Sequence, residues 1–247
     1  MTTVRTFADV EALTEAAAEH ILELAGAAIA DQGRFSVALS GGSTPRHLYA
    51  RLAEPDLASR IDWSCVHVFW GDERAVPPDH EDSNYRMARD ALLDHVPLPP
   101  ENVHRINSEL APAAAAAEYE GVLRTYFGAL AKKGRPLAAS FDLVLLGMGE
   151  DGHTASLFPG ADAIWASKRW VAAYHVDKLD AWRITLTPVA INAAAQVTFL
   201  VSGANKAPRL RQVLYGPYQP NVLPAQIVRP EKGRLLWLID EAAAGHL

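Results

Sequence analysis

Leu145-Leu-Gly-Met-Gly-Glu-Asp-Gly-His-Thr-Ala-Ser-Leu-Phe-Pro159 decides the fold of this chain. It continues the apolar run Phe141 to Leu146, which reads as a buried strand, and turns polar at once at Glu150, Asp151, His153 and Thr154. Gly147, Gly149 and Gly152 let the backbone turn sharply and approach a ligand closely. An apolar strand that ends in glycines, then in acid and imidazole groups, fits a site at the carboxyl ends of the strands of an open α/β sheet.

Three more apolar runs end the same way. Phe35 to Leu39 runs into Ser40-Gly-Gly-Ser-Thr-Pro45, Val66 to Trp70 into Gly71-Asp-Glu-Arg74, and Val197 to Val201 into Ser202-Gly-Ala-Asn-Lys206. Trp170 to Tyr174, Arg183 to Thr187, Ile227-Val228 and Leu235 to Ile239 read as further strands, and Val103 to Ile106 as a short one. Helical spacing marks residues 9–31 through Leu13, Ala17, Ile21, Leu24 and Ala28. Residues 47–52, 83–93, 112–131 and a segment through Leu210 and Leu214 are helical too, with Ser43 or Thr44 capping the first of these and Pro45 in its first turn. A short helix or turn begins at Ile191 and Asn192, and Lys132-Lys-Gly-Arg-Pro136 reads as a solvated loop. Strands alternate with helices throughout. The expected fold is therefore α/β, a mostly parallel sheet with helices on both faces in a Rossmann-like three-layer arrangement. No linker or internal period breaks the chain, so residues 1–247 are expected to form a single domain.

Composition narrows the function. Of 247 residues, 49% are hydrophobic, enough for a sizeable core. Twenty-nine acids against 23 bases leave a net charge of -6 with no Lys/Arg block, which argues against bulk nucleic-acid binding but not against a small anionic ligand. Cys65 is the only cysteine, so no internal disulfide forms. The first residues lack a signal-peptide core and no apolar stretch is long enough to span a bilayer, which leads us to expect a cytoplasmic protein with no membrane partner.

The strand ends carry the candidate chemistry. In the Ser40–Thr44 loop, Gly41 and Gly42 permit close approach to an anion, and the free N–H groups of a helix start hold it, with Ser43 and Thr44 adding donors. The plainer reading is a tight turn with a helix cap. Lys206 near a helix start and Arg183 at the head of Ile184-Thr-Leu-Thr187 could meet phosphate oxygens, or be solvated surface cations. Along an extended backbone Asp72 and Arg74 share one face and Glu73 the other. Arg74 there either neutralises developing charge or shapes the loop through an ion pair. His153 is the strongest single candidate, because imidazole takes a proton from water near neutral pH, and Asp151 could orient it. Histidine and cysteine spacings match no familiar zinc array, so no metal is expected.

These residues carry a family resemblance. Ser40-Gly-Gly-Ser-Thr-Pro45, Trp70-Gly-Asp-Glu-Arg74 with Ser83-Asn-Tyr85, Gly147 to Pro159, Arg183-Ile-Thr-Leu-Thr187 and Ser202-Gly-Ala-Asn-Lys-Ala207 together resemble the 6-phosphogluconolactonases, relatives of the glucosamine-6-phosphate deaminases. The resemblance implies hydrolysis of 6-phosphoglucono-δ-lactone to 6-phosphogluconate in the oxidative pentose phosphate pathway, with no required cofactor. It further implies a phosphorylated sugar lactone as the small-molecule partner and a monomer or small homo-oligomer. It places His153 as general base, Arg74 as a charge-stabilising group, and the Ser40–Thr44 loop, Arg183 and Lys206 on the phosphate. Asp72 falls where the deaminases carry an acid/base. The deaminase motif has Glu before its proline and Asp-Glu-Tyr at the earlier strand end. Here those positions hold Phe158, which cannot carry a proton, and Arg74. Deaminase-like chemistry and a non-catalytic sugar-phosphate sensor remain the alternatives; a sensor would need the anion cradle but not His153.

Overall fold

The computed structural model describes residues 2–130 and 137–247, so the loop expected at 132–136 lies outside the described residues. In chain order the elements are β1 (Thr2–Phe7), α1 (Val10–Gln32), β2 (Phe35–Leu39), α2 (Ser43–Ala53), α3 (Pro55–Ala58), β3 (Val66–Trp70), β4 (Asp72–Arg74), α4 (Asn84–Ala91), α5 (Pro112–Leu130), β5 (Leu143–Leu146), β6 (Val171–Val176), β7 (Ala181–Leu186), α6 (Pro188–Ile191), β8 (Gln196–Val201), α7 (Ala207–Tyr215), β9 (Arg234–Asp240) and α8 (Glu241–Ala244). Helix α1 shows why the local sequence suffices. Asp9 accepts the Ala12 N–H at 2.8 Å to cap its start, and Gly33 closes it at φ 73°. Leu13, Ala17, Ala18, Ile21, Leu22 and Ala25 then fall on one buried stripe.

Six strands form a sheet in the order β1-β9-β8-β5-β2-β3, every pair parallel. Its two faces are covered by different helices. Val66 and Val68 line the same apolar space as Ile21 of α1 and Tyr49 and Leu52 of α2. The alternate residues His67 and Phe69 turn to the other face and meet Tyr126 and Phe127 of α5. The α/β layering read from the sequence is the fold observed.

The chain reverses its direction of growth beside β2: β3 adds on one side and β5, much later in the chain, on the other. Such a reversal leaves a crevice outside the carboxyl ends of the two adjacent strands, because the connecting segments leave toward opposite faces. The Ser40 turn and the Gly147 loop are those two ends. Two phenols fix the strand ends at this edge. Tyr49 accepts the Ser40 N–H at 3.0 Å and donates to the Ser40 carbonyl at 2.9 Å. Tyr119 does the same for Trp70, at 2.8 and 3.0 Å. Both tyrosines are fully buried, and burial pushes both phenols up.

The structure departs from the sequence reading in several places. Arg183 to Thr187 and Trp170 to Tyr174 do not join the parallel sheet; as β7 and β6 they form a separate antiparallel sheet in the order β4-β7-β6. Asp72–Arg74 is not a strand end but its third strand, which the apolar pattern could not show in so charged a segment. Residues 2–7 form β1, an edge strand too exposed and polar to announce itself. Val103 makes only an isolated bridge to Val68, and Ile227 ends a 3-10 turn in place of the expected strand. Helix α2 is capped by neither Ser43 nor Thr44: Gly42 occupies the cap at φ 108°, with no side-chain hydrogen bond.

Candidate active site

At the crevice lies a pocket of about 240 Å³. Four segments supply it: Ser40, Gly41 and Gly42 after β2, Asp72 and Arg74 from β4, the loop after β5 from Gly147 to Phe158, and Lys206 after β8. Seven of the residues singled out in the sequence therefore line one space: Ser40, Gly41, Gly42, Asp72, Arg74, His153 and Lys206.

The loop after β5 is folded around its histidine. His153 Nδ1 lies 2.5 Å from Asp151 Oδ1, and the His153 N–H reaches the same oxygen at 3.2 Å. That hydrogen bond holds the Asp151 carboxyl well below the usual carboxylate range, against the opposing cost of its burial. An ionised carboxylate only accepts, so Nδ1 carries a hydrogen, and in the neutral imidazole the lone pair is then on Nε2. Asp151 stands behind the imidazole and does not line the pocket itself; Lys178, at the β6–β7 turn, approaches its other oxygen at 3.7 Å. The imidazole stacks on Phe158, ring centroids 4.1 Å apart at 25°. A Cβ on residue 149 would sit 2.1 Å from His153 Nδ1, so only glycine leaves room for the ring. Thr154 ties the loop back to the Gly147 carbonyl at 2.8 Å, and Ala155 sits in the left-handed region at φ 46°, a strained backbone within the pocket wall.

The β4–β7 pairing supplies the charge. Asp72 and Arg74 share one face, as the alternation of a strand requires, and buried Glu73 points away. Asp72 accepts the Ser156 hydroxyl at 2.6 Å. Arg74 donates to the Asp82 carbonyl. In the antiparallel register Arg74 lies opposite Arg183, so two guanidiniums flank one another. Burial, then the neighbouring Arg74, lower the Arg183 pKa, with Asp72 offsetting part of this. A half-buried guanidinium beside a second one favours a nearby anion. Lys206 sits at the end of a 3-10 turn that follows Gly203, and its neighbour Asn205 donates to Glu150 at 2.7 Å, tying this loop to the histidine loop.

The other candidates lie further out. Ser43 lines an adjoining groove of about 1050 Å³ between α2 and α4, which meets the pocket at Gly42 and Arg74. Thr44 and Arg183 line neither space. Sequence reasoning gave no role to Ser156, Tyr174 or Asn84. Ser156 and Asn84 stand inside quoted motifs, but only the fold brings them to Asp72. Tyr174 donates to the Ser156 carbonyl and accepts the Phe158 N–H at 3.2 Å, a contact that no local pattern encodes. Among the described residues no group of three or more His, Cys, Asp and Glu side chains is placed to hold a metal ion, and no helix is long and apolar enough to cross a membrane.

A family model described as glucosamine-6-phosphate isomerases/6-phosphogluconolactonase matches residues 8–237. The chain is 45% identical to a 6-phosphogluconolactonase of Nostoc sp. over 246 residues, 99% of this chain and 98% of that one. It is 42% identical to a 6-phosphogluconolactonase of Synechocystis sp. over 221 residues, 89% and 88% of the two chains. Among solved structures, the 6-phosphogluconolactonase of Trypanosoma brucei superposes with a TM-score of 0.86 at 32% identity, covering 100% of this chain and 99% of that one.

Proposed function

This chain belongs to the glucosamine-6-phosphate isomerase/6-phosphogluconolactonase family, and on that premise we propose that it hydrolyses 6-phosphoglucono-δ-lactone to 6-phosphogluconate. It is an enzyme, a hydrolase of a lactone ester in carbohydrate metabolism. The single observation that carries the reading is the Asp151–His153 hydrogen bond in a pocket that also holds a glycine turn and Lys206. The proposal places the enzyme in the oxidative pentose phosphate pathway of the cytoplasm, as one catalytic unit over residues 1–247 in a monomer or small homo-oligomer, without metal or organic cofactor.

The substrate phosphate docks on the N–H groups of the glycine turn after Ser40, with Lys206 as its cation in the pocket; Arg183, outside the pocket wall, adds only the field of its charge. Binding at that distant group orients the lactone carbonyl. His153 Nε2 removes a proton from water as its oxygen bonds to C1, and Asp151 stabilises the imidazolium that forms. Negative charge grows on the former carbonyl oxygen, where Arg74 meets it. When the tetrahedral intermediate collapses, the bond from C1 to the ring oxygen breaks and the imidazolium returns its proton to that oxygen. Asp72, held by Ser156, presents a carboxylate to the substrate in the same pocket.

Deaminase chemistry finds no proton carrier at Phe158, whose ring packs on the imidazole instead. A sensor would bind the sugar phosphate without needing an oriented imidazole. The test is lactone hydrolysis by the wild type and by His153→Ala and His153→Gln, corrected for the spontaneous reaction. We expect kcat to fall by about 10²-fold or more with little change in KM. Near-wild-type kcat in both variants would remove His153 from the chemistry.

A further inference from the structure

Behind Asp72 and the glycine turn lies Asn84, a fully buried amide that the mechanism above does not use. Its Nδ2 donates to the Asp72 carbonyl at 2.9 Å and faces Asp72 Oδ1 at 3.5 Å. The same carboxamide lies against Gly41, where a Cβ would come within 2.0 Å of Asn84 Oδ1. One side chain therefore touches both the anion turn after β2 and the acidic strand β4, which otherwise belong to different sheets.

Asn84 is itself held from below. Glu73, 1% exposed, accepts four hydrogen bonds: the N–H groups of Arg74, Asn84 and Tyr85, each at 2.8 Å, and the Ser83 hydroxyl at 3.1 Å. All four donors are neutral, so this buried carboxylate is satisfied by the open first turn of α4 and by its own strand. Ser83 meanwhile caps α4 through the Arg86 N–H at 3.1 Å. An ordinary cap would need Ser83 alone. Adding a buried acid fixes the helix start against β4, and with it the rotation at which the Asn84 amide meets Asp72.

We infer that Asn84, locked by Glu73, is a positioning residue that sets the spacing between the phosphate-gripping turn and the Asp72 carboxylate at the reacting end. This rests on the proposed lactonase function. Displacing the substrate anchor from the reacting groups by about 1 Å can cost as much as 10²-fold in rate, so the effect should fall on kcat. The charged and titratable groups around Asp72 are Arg183, Glu73 and the phenols of Tyr49 and Tyr174, with Arg74, His153 and Lys206 sharing its pocket. None of them is altered by a substitution at 84.

The experiment compares wild type, His153→Ala, Asn84→Ala and Asn84→Asp in steady-state hydrolysis of 6-phosphogluconolactone, with a thermal melt of each. Asn84→Ala should lower kcat at least about ten-fold and move KM less than about three-fold. Asn84→Asp keeps the shape but sets a second carboxyl against Asp72. A negative charge added beside the shared pocket favours the imidazolium of His153, so the acid limb of kcat/KM, which reports the base, should move to higher pH. A merely structural role would not produce the KM-against-kcat split in Asn84→Ala. Wild-type kcat in Asn84→Ala, a loss confined to KM, or an unmoved acid limb in Asn84→Asp would each overturn the inference. If wild type itself fails to turn over the lactone beyond the His153→Ala level, the functional reading falls instead.

Discussion

In the proposed mechanism His153 acts as a base at Nε2, and Asp151 at Nδ1 holds the tautomer that leaves that nitrogen free. Asp151→Asn removes the charge and offers an amide that can present either end to the ring. We expect kcat to fall by about 10²-fold or more and the melting temperature at neutral pH to fall by a few degrees, both measured on the purified variant. The Asp151 pKa is lowered in the folded protein. Its stabilising contribution is therefore fully present above the unfolded carboxylate value and is lost only as pH falls through the depressed folded one. Much of this was legible in the sequence, because Asp151, Gly152 and His153 are neighbours and their chemistry is local. Phe158 was legible only as a side chain unable to carry a proton; that it forms a wall for the imidazole needs coordinates. The pairing of Arg74 with Arg183 was hidden altogether, since a register between segments about a hundred residues apart leaves no local mark.

The loop after β5 keeps its shape through small residues placed where any bulk would collide. Gly149→Ala puts a methyl 2.1 Å from His153 Nδ1 and 2.8 Å from Asp151 Oδ1. The variant should fold and bind sugar phosphate but lose most of its kcat, as seen by comparing product inhibition by 6-phosphogluconate with turnover. On the far face of β3, His67 Nδ1 and His104 Nε2 meet at 3.3 Å, and His104 stacks on Phe69 at 4.4 Å. Burial, then the neighbouring His67, push His104 down to about 4, and burial lowers His67 too. Both folded values lie below the unfolded one, so the unfolded chain takes up protons first as pH falls. Stability is intact above about pH 6.5 and declines toward pH 4. In His104→Phe the drop in melting temperature between neutral and acid solution should shrink; an unchanged drop would place the sensitivity elsewhere. Strong apolar strands such as β3 and β8 were legible in the sequence. Strand β4 was not, because Asp72, Glu73 and Arg74 satisfy their charges through tertiary partners and never show a strand's alternation of apolar and polar.

Across the molecule, the parallel sheet joins distant parts of the chain. Strand β1 is exposed along most of its length, yet it covers the edge of β9 in register from Thr2 opposite Leu235 to Phe7 opposite Asp240. Deleting residues 2–7 should bare that apolar edge, lower the melting temperature and promote self-association, followed by light scattering. Turnover below the new melting point should stay near wild type, since β1 lies three strands from β5 at the crevice. The α/β class was legible from alternation alone, whereas the separate antiparallel sheet was not, because nothing in Arg183 to Thr187 says which neighbour it will choose. The reversal of strand order beside β2 has a consequence for assembly. The Ser40 turn follows β2, His153 follows β5 and Lys206 follows β8, so these groups meet only once strands distant along the chain have paired. A partly folded molecule in which β5 has not yet docked between β2 and β8 therefore has no assembled pocket.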